Sequence, residues 1–131
     1  MANAFTEEII KTMAKHTQRP IILPLSNPNS RSEADPKDIR KWTNNKAFIA
    51  TGSPFPATAQ CNNALAYPGL GLGVINAGAK RVTKEMLWAA CEALTACAPI
   101  LQDKNAPLLP DIADVKEVSA KIAAAVSQCI K

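Results

Sequence analysis

The fold is decided by two short apolar runs, Arg19-Pro-Ile-Ile-Leu-Pro-Leu25 and Ala47-Phe-Ile-Ala50. A continuous apolar run of this length between turn residues is typical of a strand buried on both faces, as in a parallel sheet. Pro24 lacks an amide donor, so we expect it at a strand end or at a sheet edge.

Each run is preceded by a segment with helix signals. Residues 5–17 are predicted to be helical, because Thr6 can cap the first turn and apolar residues recur every four positions. A second helix is predicted from Asp35-Pro36 to about Asn44, with Ile39 and Trp42 pointing inward. The order helix, strand, helix, strand predicts an α/β fold with parallel strands.

The part of the chain after Gly52 follows a different pattern. Residues 53–63 are expected to form a loop, and three helices are predicted after it, over residues 68–80, 83–98 and from Asp111 to the end. Glycine and alanine residues of the first of these helices suit close packing: Gly71, Gly73, Ala77 and Gly78. The inward stripe of the second is predicted to be Leu87, Ala90, Cys91, Leu94 and Ala98. That of the third is predicted to be Ile112, Val115, Val118, Ile122, Val126 and Cys129.

Two apolar strands do not make a sheet that satisfies its own edges. Either further strands are hidden in this sequence, or they lie on another polypeptide. The clear helix signals elsewhere in the chain favour the second explanation.

Composition excludes several classes of protein. The 131 residues are 47% apolar and 20% charged, which is ordinary for one globular domain, and no run approaches the length of a membrane helix. The net charge of +4 comes from dispersed basic residues with few aromatic residues among them, so we expect no nucleic-acid binding. The acidic start is unlike a signal peptide, and a cytoplasmic location is expected.

Side chains with the spacing of a metal or catalytic centre are not found. Cys61, Cys91, Cys97 and Cys129 lack metal-site spacing and are expected to be buried thiols, structural or free, and not disulfides. The single histidine, His16, suits the last turn of a helix. Glu33 is interpreted, with Asp35 and Asp38, as part of the chemistry of a helix N-terminus.

Polar loops follow both predicted strands, where ligands of open α/β sheets bind. Ser26-Asn27-Pro28 follows the first strand, and Gly52-Ser53-Pro54 follows the second. The amide of Asn27 can donate and accept hydrogen bonds at once, which suits a hydroxy acid or a carboxamide. The alternative is that these residues only make turns. The pair Asn62-Asn63 likewise has two possible roles, binding of a ligand or capping of the helix that follows.

Five segments, in this order, resemble the malic enzyme family: Ala4-Phe-Thr-Glu-Glu-Ile-Ile10, Arg19-Pro-Ile-Ile-Leu-Pro-Leu-Ser-Asn-Pro28, Ala50-Thr-Gly-Ser-Pro-Phe55, Gln60-Cys-Asn-Asn-Ala64 and Tyr67-Pro-Gly-Leu-Gly-Leu-Gly-Val74. The resemblance covers almost the whole chain but only the C-terminal part of the family's sequence. It implies a partial Rossmann-like parallel sheet of few strands followed by C-terminal helices. Residues 1–60 would be the end of an NAD(P)-binding domain, and residues 61–131 a helical segment that packs on it.

The resemblance also implies a reaction and a set of site residues. Malic enzymes oxidise L-malate with NAD or NADP and Mg²⁺ or Mn²⁺, and they release pyruvate and CO₂. Asn27 and Asn63 match the family's substrate contacts, and Ser26, Asn27, Gly52, Ser53 and Asn62 are expected beside the cofactor. The catalytic tyrosine and lysine and the metal ligands of the family are expected upstream, so the isolated chain is predicted to be inactive.

Several alternatives remain beside this interpretation. The related malolactic enzymes share the Asn-Asn and Pro-Gly-Leu-Gly-Leu-Gly motifs, although Gly52-Ser53-Pro54-Phe55 favours the oxidative enzymes. The connection from Phe55 to Gln60 is about a dozen residues shorter than is usual in the family. The chain could also be a free-standing, non-catalytic assembly module. Expected partners are malate, the remainder of a malic enzyme polypeptide and further copies in a homo-oligomer, with no membrane.

Overall fold

The computed structural model describes residues 2–129, which form two compact units. The first unit extends to Cys61 and the second begins at Asn62.

Two helices of the first unit have the N-cap residues that the sequence predicts. Helix α1 spans Glu7–His16, and the hydroxyl of Thr6 caps it by accepting a hydrogen bond from the amide of Ile9. Helix α2 spans Pro36–Trp42, and the carboxylate of Asp35 accepts from the amide of Lys37. Both caps satisfy amides that have no partner inside the helix.

The sheet of the first unit has three parallel strands, β1 (Ile21–Ile22), β2 (Phe48–Thr51) and β3 (Ala59–Gln60), in the order β1-β2-β3. The register places Ile21 opposite Phe48 and Ala50 opposite Ala59. The predicted α/β fold with parallel strands is therefore confirmed.

Two details of the strand prediction are wrong. Only Ile21 and Ile22 of the first apolar run form ladder pairs, and β3 lies in a segment that the sequence predicts to be loop. The two residues of β3 have no apolar pattern from which a strand could be predicted. They form a strand because they pair with β2. The amide of Cys61 continues that pairing by donating to the carbonyl of Thr51 at 2.8 Å.

The core of the first unit lies on one face of the sheet. Its buried members are Ile10, Ile22, Ala34, Ile39 and Ile49, with Phe5, Trp42 and Ala47 packed against them. Along β1 and the residues after it, burial alternates: Ile22 and Pro24 are buried, whereas Ile21, Leu23 and Leu25 are 52%, 37% and 43% exposed. Successive side chains of an extended segment point to opposite sides. An exposed apolar row, Ile21, Leu23 and Leu25, therefore runs along the side away from this core.

The second unit contains three helices, α3 (Tyr67–Asn76), α4 (Lys84–Ala96) and α5 (Val115–Ser127), around a separate core. Short 3₁₀ turns, Asn63–Leu65 and Ile112–Asp114, lead into α3 and α5. The buried members of this core are Leu70, Met86, Ala90, Val118, Ile122 and Val126. The predicted inward positions Val118, Ile122 and Val126 of the last helix are confirmed.

Helices α3 and α5 approach each other at two glycines. A Cβ atom on Gly69 would lie 2.6 Å from the Cβ of Ile122, and one on Gly73 would lie 2.6 Å from the Cβ of Val126. Gly71 and Gly78, which the sequence assigns to close packing, have no such neighbour within 4 Å. The packing glycines are thus spaced by four residues, the spacing that brings side chains to one face of a helix.

The inward stripe predicted for α4 is partly wrong. The buried residues of this helix are Met86 and Ala90, while Leu87 and Cys91 are exposed, as is Trp88. Helix α4 carries apolar residues on two neighbouring faces. The face that contains Met86 and Ala90 packs against the core, whereas the face that contains Leu87 and Trp88 is exposed, Trp88 to 66%.

Candidate functional site

The loops that follow β1 and β2 are in direct contact. The amide of Gly52 donates to the carbonyl of Pro24 at 3.1 Å. A Cβ atom at position 52 would lie 2.1 Å from the carbonyl oxygen of Leu25, a distance that no side chain tolerates. Glycine at this position therefore lets the two loops lie against each other.

Side chains join the same two loops. The hydroxyl of Ser53, a buried residue, donates to Oδ1 of Asn27, and Nδ2 of Asn29 donates to the carbonyl of Pro54 at 3.1 Å. The carbonyl of Ser53 in turn accepts from the hydroxyl of Thr51 at 2.8 Å. The structure thus brings together Ser26, Asn27, Gly52 and Ser53, four of the residues that the sequence predicts for the site.

The amide of Asn27 is oriented by this contact. Its oxygen is engaged by Ser53, and its side chain is exposed. The Nδ2 group keeps both of its hydrogen-bond donors for a ligand, and the oxygen keeps one of its two acceptor sites.

Glu33 is a member of this cluster that the sequence did not predict. Its carboxylate accepts a hydrogen bond from the amide of Ser26 at 3.1 Å and a second one from the Ser26 hydroxyl. The hydroxyl contact is the main reason that the pKa of Glu33 lies below its usual value, and it outweighs the opposing effect of desolvation. The interpretation of Glu33 as part of a helix N-terminus is therefore wrong, although Asp35 does cap α2.

A cavity of about 500 Å³ lies beside the first loop, and Ala2, Ser26, Asn27 and Arg31 line it. Asn27 and Arg31 bring N–H donors to this lining, while the Ser26 hydroxyl donates its hydrogen to the Glu33 carboxylate. The donors of Asn27 and Arg31 suit a ligand with carboxylate, carbonyl or phosphate oxygens. Arg31 follows the Ser-Asn-Pro turn in a 3₁₀ helix, Asn29–Arg31, and no sequence motif singles it out.

The pair Asn62-Asn63 lies in the second unit. Oδ1 of Asn62 accepts from the amide of Ala64 at 2.9 Å, so Asn62 caps the 3₁₀ turn that precedes α3. For this residue the capping role is confirmed. Asn63 is exposed, and among residues 2–129 its side-chain amide makes no hydrogen bond.

The four cysteines are free thiols, as predicted, although Cys61 and Cys91 are exposed and not buried. Among the described residues, no three His, Cys, Asp or Glu side chains are grouped to hold a metal ion. No helix of residues 2–129 is long and apolar enough to cross a bilayer.

Comparison with known families identifies the chain. The family model described as "Malic enzyme, NAD binding domain" matches residues 1–131. This chain belongs to the malic enzyme family. The resemblance of its five sequence segments to that family is thereby confirmed.

Curated members of the malic enzyme family are similar in sequence over most of this chain. The NAD-dependent malic enzyme of Acinetobacter baylyi is 55% identical over 128 aligned positions, which cover 91% of the chain and 23% of the relative. That of Photorhabdus laumondii is 54% identical over 136 positions, which cover 97% of the chain and 24% of the relative. The chain thus spans about a quarter of the length of these malic enzymes. The second alignment is longer than the chain, so that relative has residues that this chain lacks.

Solved malic enzyme structures share the fold. The crystal structure of the NAD-dependent malic enzyme from Thermotoga maritima matches with a TM-score of 0.78 at 30% identity, over 97% of this chain and 30% of that one. A structure described as a putative malic enzyme (malate oxidoreductase) matches equally well, with a TM-score of 0.78 at 30% identity. The Rossmann-like character of the sheet is confirmed by this likeness.

Proposed function

We propose that this chain is the C-terminal part of an NAD-dependent malic enzyme that oxidises L-malate and releases pyruvate and CO₂. The observation that carries the proposal is the placement of Asn27, which lines an open cavity and whose amide oxygen accepts a hydrogen bond from Ser53. The curated relatives are NAD-dependent malic enzymes, which supports the same reaction here. In this proposal residues 1–60 complete a Rossmann-like NAD(P)-binding domain, and residues 61–131 form a helical C-terminal segment.

Asn27 would act as a donor to the substrate. Its NH₂ group can hold a carboxylate or carbonyl oxygen of malate without competing for the proton of the malate hydroxyl. Arg31, in the same cavity, adds positive charge that favours a dicarboxylate. Asn63 is proposed as a second substrate contact, since its exposed amide has no hydrogen bond within the described part of the chain.

Residues of the two loops are proposed to border the cofactor: Ser26, Asn27, Gly52 and Ser53. These residues follow the carboxyl ends of β1 and β2, the position at which ligands of open α/β sheets bind. When bound, NAD accepts the hydride that malate loses. We also place Asn62 beside the cofactor, where its cap would fix the turn before α3. NADP in place of NAD is an alternative that depends on residues upstream.

The metal ion of the reaction, Mg²⁺ or Mn²⁺, does not fit the described residues of this chain, which offer no group of three suitable ligands. We therefore assign the metal ligands and the general base to the remainder of the malic enzyme polypeptide. Further copies in a homo-oligomer and a cytoplasmic location complete the proposal. The residues present in the longer relative and absent here are proposed to belong to the connection between Phe55 and Gln60.

The substrate role of Asn27 can be tested in the longest polypeptide that the source gene encodes. Asn27→Ala removes the donor, and we expect kcat/KM for malate to fall by roughly 10- to 100-fold, as for loss of a hydrogen bond to a charged group. The measurement is the initial rate of NAD reduction against malate concentration. Asn105→Ala, at an exposed residue of the second unit, is the matched control. Unchanged kinetics of Asn27→Ala would remove Asn27 from the site.

A non-catalytic assembly module is the second candidate function. The exposed apolar row of Ile21, Leu23 and Leu25 favours it, because such a row needs a partner. This function predicts that the longest encoded polypeptide lacks malate oxidation and associates through that row.

A further inference from the structure

Glu33 stands out among the charged groups of the first unit because both of its carboxylate oxygens bind one residue. Oε2 accepts from the backbone amide of Ser26, and Oε1 accepts from its hydroxyl. Glu33 and Ser26 are seven residues apart, and the 3₁₀ turn Asn29–Arg31 lies between them. The contact therefore joins the two ends of the loop of residues 26–33, and Asn27 is one of the residues in this loop.

We propose that Glu33 is a positioning residue for Asn27: its carboxylate fixes Ser26, and so fixes the backbone from which the Asn27 amide projects. The proposal rests on the proposed function of Asn27 as a substrate contact. Glu33 itself touches no reacting group. Its effect on the reaction passes through the loop.

Two restraints then act on Asn27, one through its backbone and one through its side chain. Glu33 holds the backbone of the preceding residue, and the buried hydroxyl of Ser53 holds the amide oxygen. An exposed side chain otherwise samples several rotamers, and ordering it on binding costs free energy. With both restraints in place, the NH₂ group is offered in one orientation before any ligand arrives.

The contact at Oδ1 also bears on the ligand atom. Ser53 occupies one of the two acceptor sites of the amide oxygen, whereas both N–H donors of Asn27 remain for the site. This imbalance favours an acceptor as the contacted atom, such as a carboxylate or carbonyl oxygen.

The structural half of the proposal can be tested on the 131-residue chain by nuclear magnetic resonance. The backbone amide proton of Ser26 is expected far downfield in the wild type, since it donates to a carboxylate, and to move upfield when acid protonates that carboxylate. Glu33→Gln should abolish this movement, and Glu117→Gln, which removes an exposed carboxylate of α5, should leave it intact. A Ser26 amide that titrates in the same way in Glu33→Gln would overturn the proposal.

The functional half needs kinetics in the longest encoded polypeptide. Glu33→Ala, which removes both acceptors, is expected to lower kcat/KM for malate about tenfold. We expect it to divide the loss between kcat and KM as Asn27→Ala does. Glu33→Gln keeps one acceptor oxygen and should restore part of the activity.

A double-mutant cycle separates positioning from a general structural role. On the Asn27→Ala background, Glu33→Ala should cause no further loss, because the group through which it acts is already absent. Losses that add would overturn the proposal, as would wild-type activity of Glu33→Ala. If Asn27→Ala alone has no effect on malate oxidation, the proposed substrate role of Asn27 fails, and the Ser26 titration still decides whether Glu33 holds the loop.

Discussion

The orientation of the Asn27 amide depends on a residue that is distant in sequence, Ser53. The sequence could predict that Ser26-Asn27 and Gly52-Ser53 follow strands, because the apolar runs end there. It could not predict the hydrogen bond from Ser53 to Asn27, which forms where the loops after the paired strands β1 and β2 meet. Glu33 was missed for the same reason, since no local motif links it to Ser26.

Stability of the first unit should depend on the ionisation of Glu33. Its pKa in the folded chain is lowered, chiefly by the Ser26 hydroxyl, from an ordinary value of 4.5. The unfolded chain therefore takes up the proton more readily. The stabilisation is fully present above pH 4.5 and is lost as the pH falls through the lowered value.

Urea unfolding at a series of pH values from about 6 to about 3 measures this effect. Glu33→Gln should reduce the loss of stability in acid relative to the wild type. Glu8→Gln, at an exposed residue of α1, is the control for the removal of a negative charge. An identical pH dependence for Glu33→Gln and the wild type would contradict the assignment.

At the scale of elements, local signals predicted the helices well and the sheet poorly. Thr6, Asp35, Thr83 and Asp111 all accept hydrogen bonds as caps, because capping depends on residues three positions apart or fewer. The position of β3 and the buried face of α4 depend on contacts with distant residues. Ala59-Gln60 has no apolar pattern of its own and is a strand because it pairs with β2. Helix α4 has two apolar faces, and only packing decides which of them is buried.

The contact between α3 and α5 can be tested by adding single methyl groups. Gly69→Ala would place a Cβ 2.6 Å from Ile122 and 2.7 Å from the carbonyl oxygen of Ser119, so we expect a loss of about 1–3 kcal/mol of unfolding free energy. Gly71→Ala, in the same helix and with nothing within 4 Å, should stabilise by about 1 kcal/mol through helix propensity. Denaturant unfolding of both variants measures the difference. Equal effects would show that the helices do not approach each other at Gly69.

At the scale of the whole molecule, the chain has two units with separate cores and spans about a quarter of the curated malic enzymes. The second unit buries one face of each of its three helices. The first unit leaves the row Ile21, Leu23 and Leu25 exposed, and β1 pairs with β2 on one edge. The sequence favoured the explanation that all further strands lie on another polypeptide, and this is wrong for β3, which lies in this chain.

The 131-residue chain alone is therefore expected to self-associate and to show no malate oxidation. Leu23→Lys places a charge in the exposed row and should shift the chain toward a monomer, because a buried unpaired charge is costly. Leu101→Lys, at an exposed apolar residue of the second unit, is the matched control. Light scattering after size-exclusion chromatography at increasing concentrations gives the mass. A wild-type chain that remains a compact monomer would contradict this expectation and remove the assembly-module alternative.

Each of the two units contains one of the chain's two tryptophans, so each has its own fluorescence emission. The chain has two tryptophans: Trp42 is packed against the core of the first unit, and Trp88 is 66% exposed on α4 of the second. Trp42 should emit at shorter wavelength and be shielded from iodide, whereas Trp88 should emit near the maximum of free indole and be readily quenched. Each unit thus carries its own intrinsic optical reporter, and the order in which the two units lose structure can be recorded in one spectrum without any label.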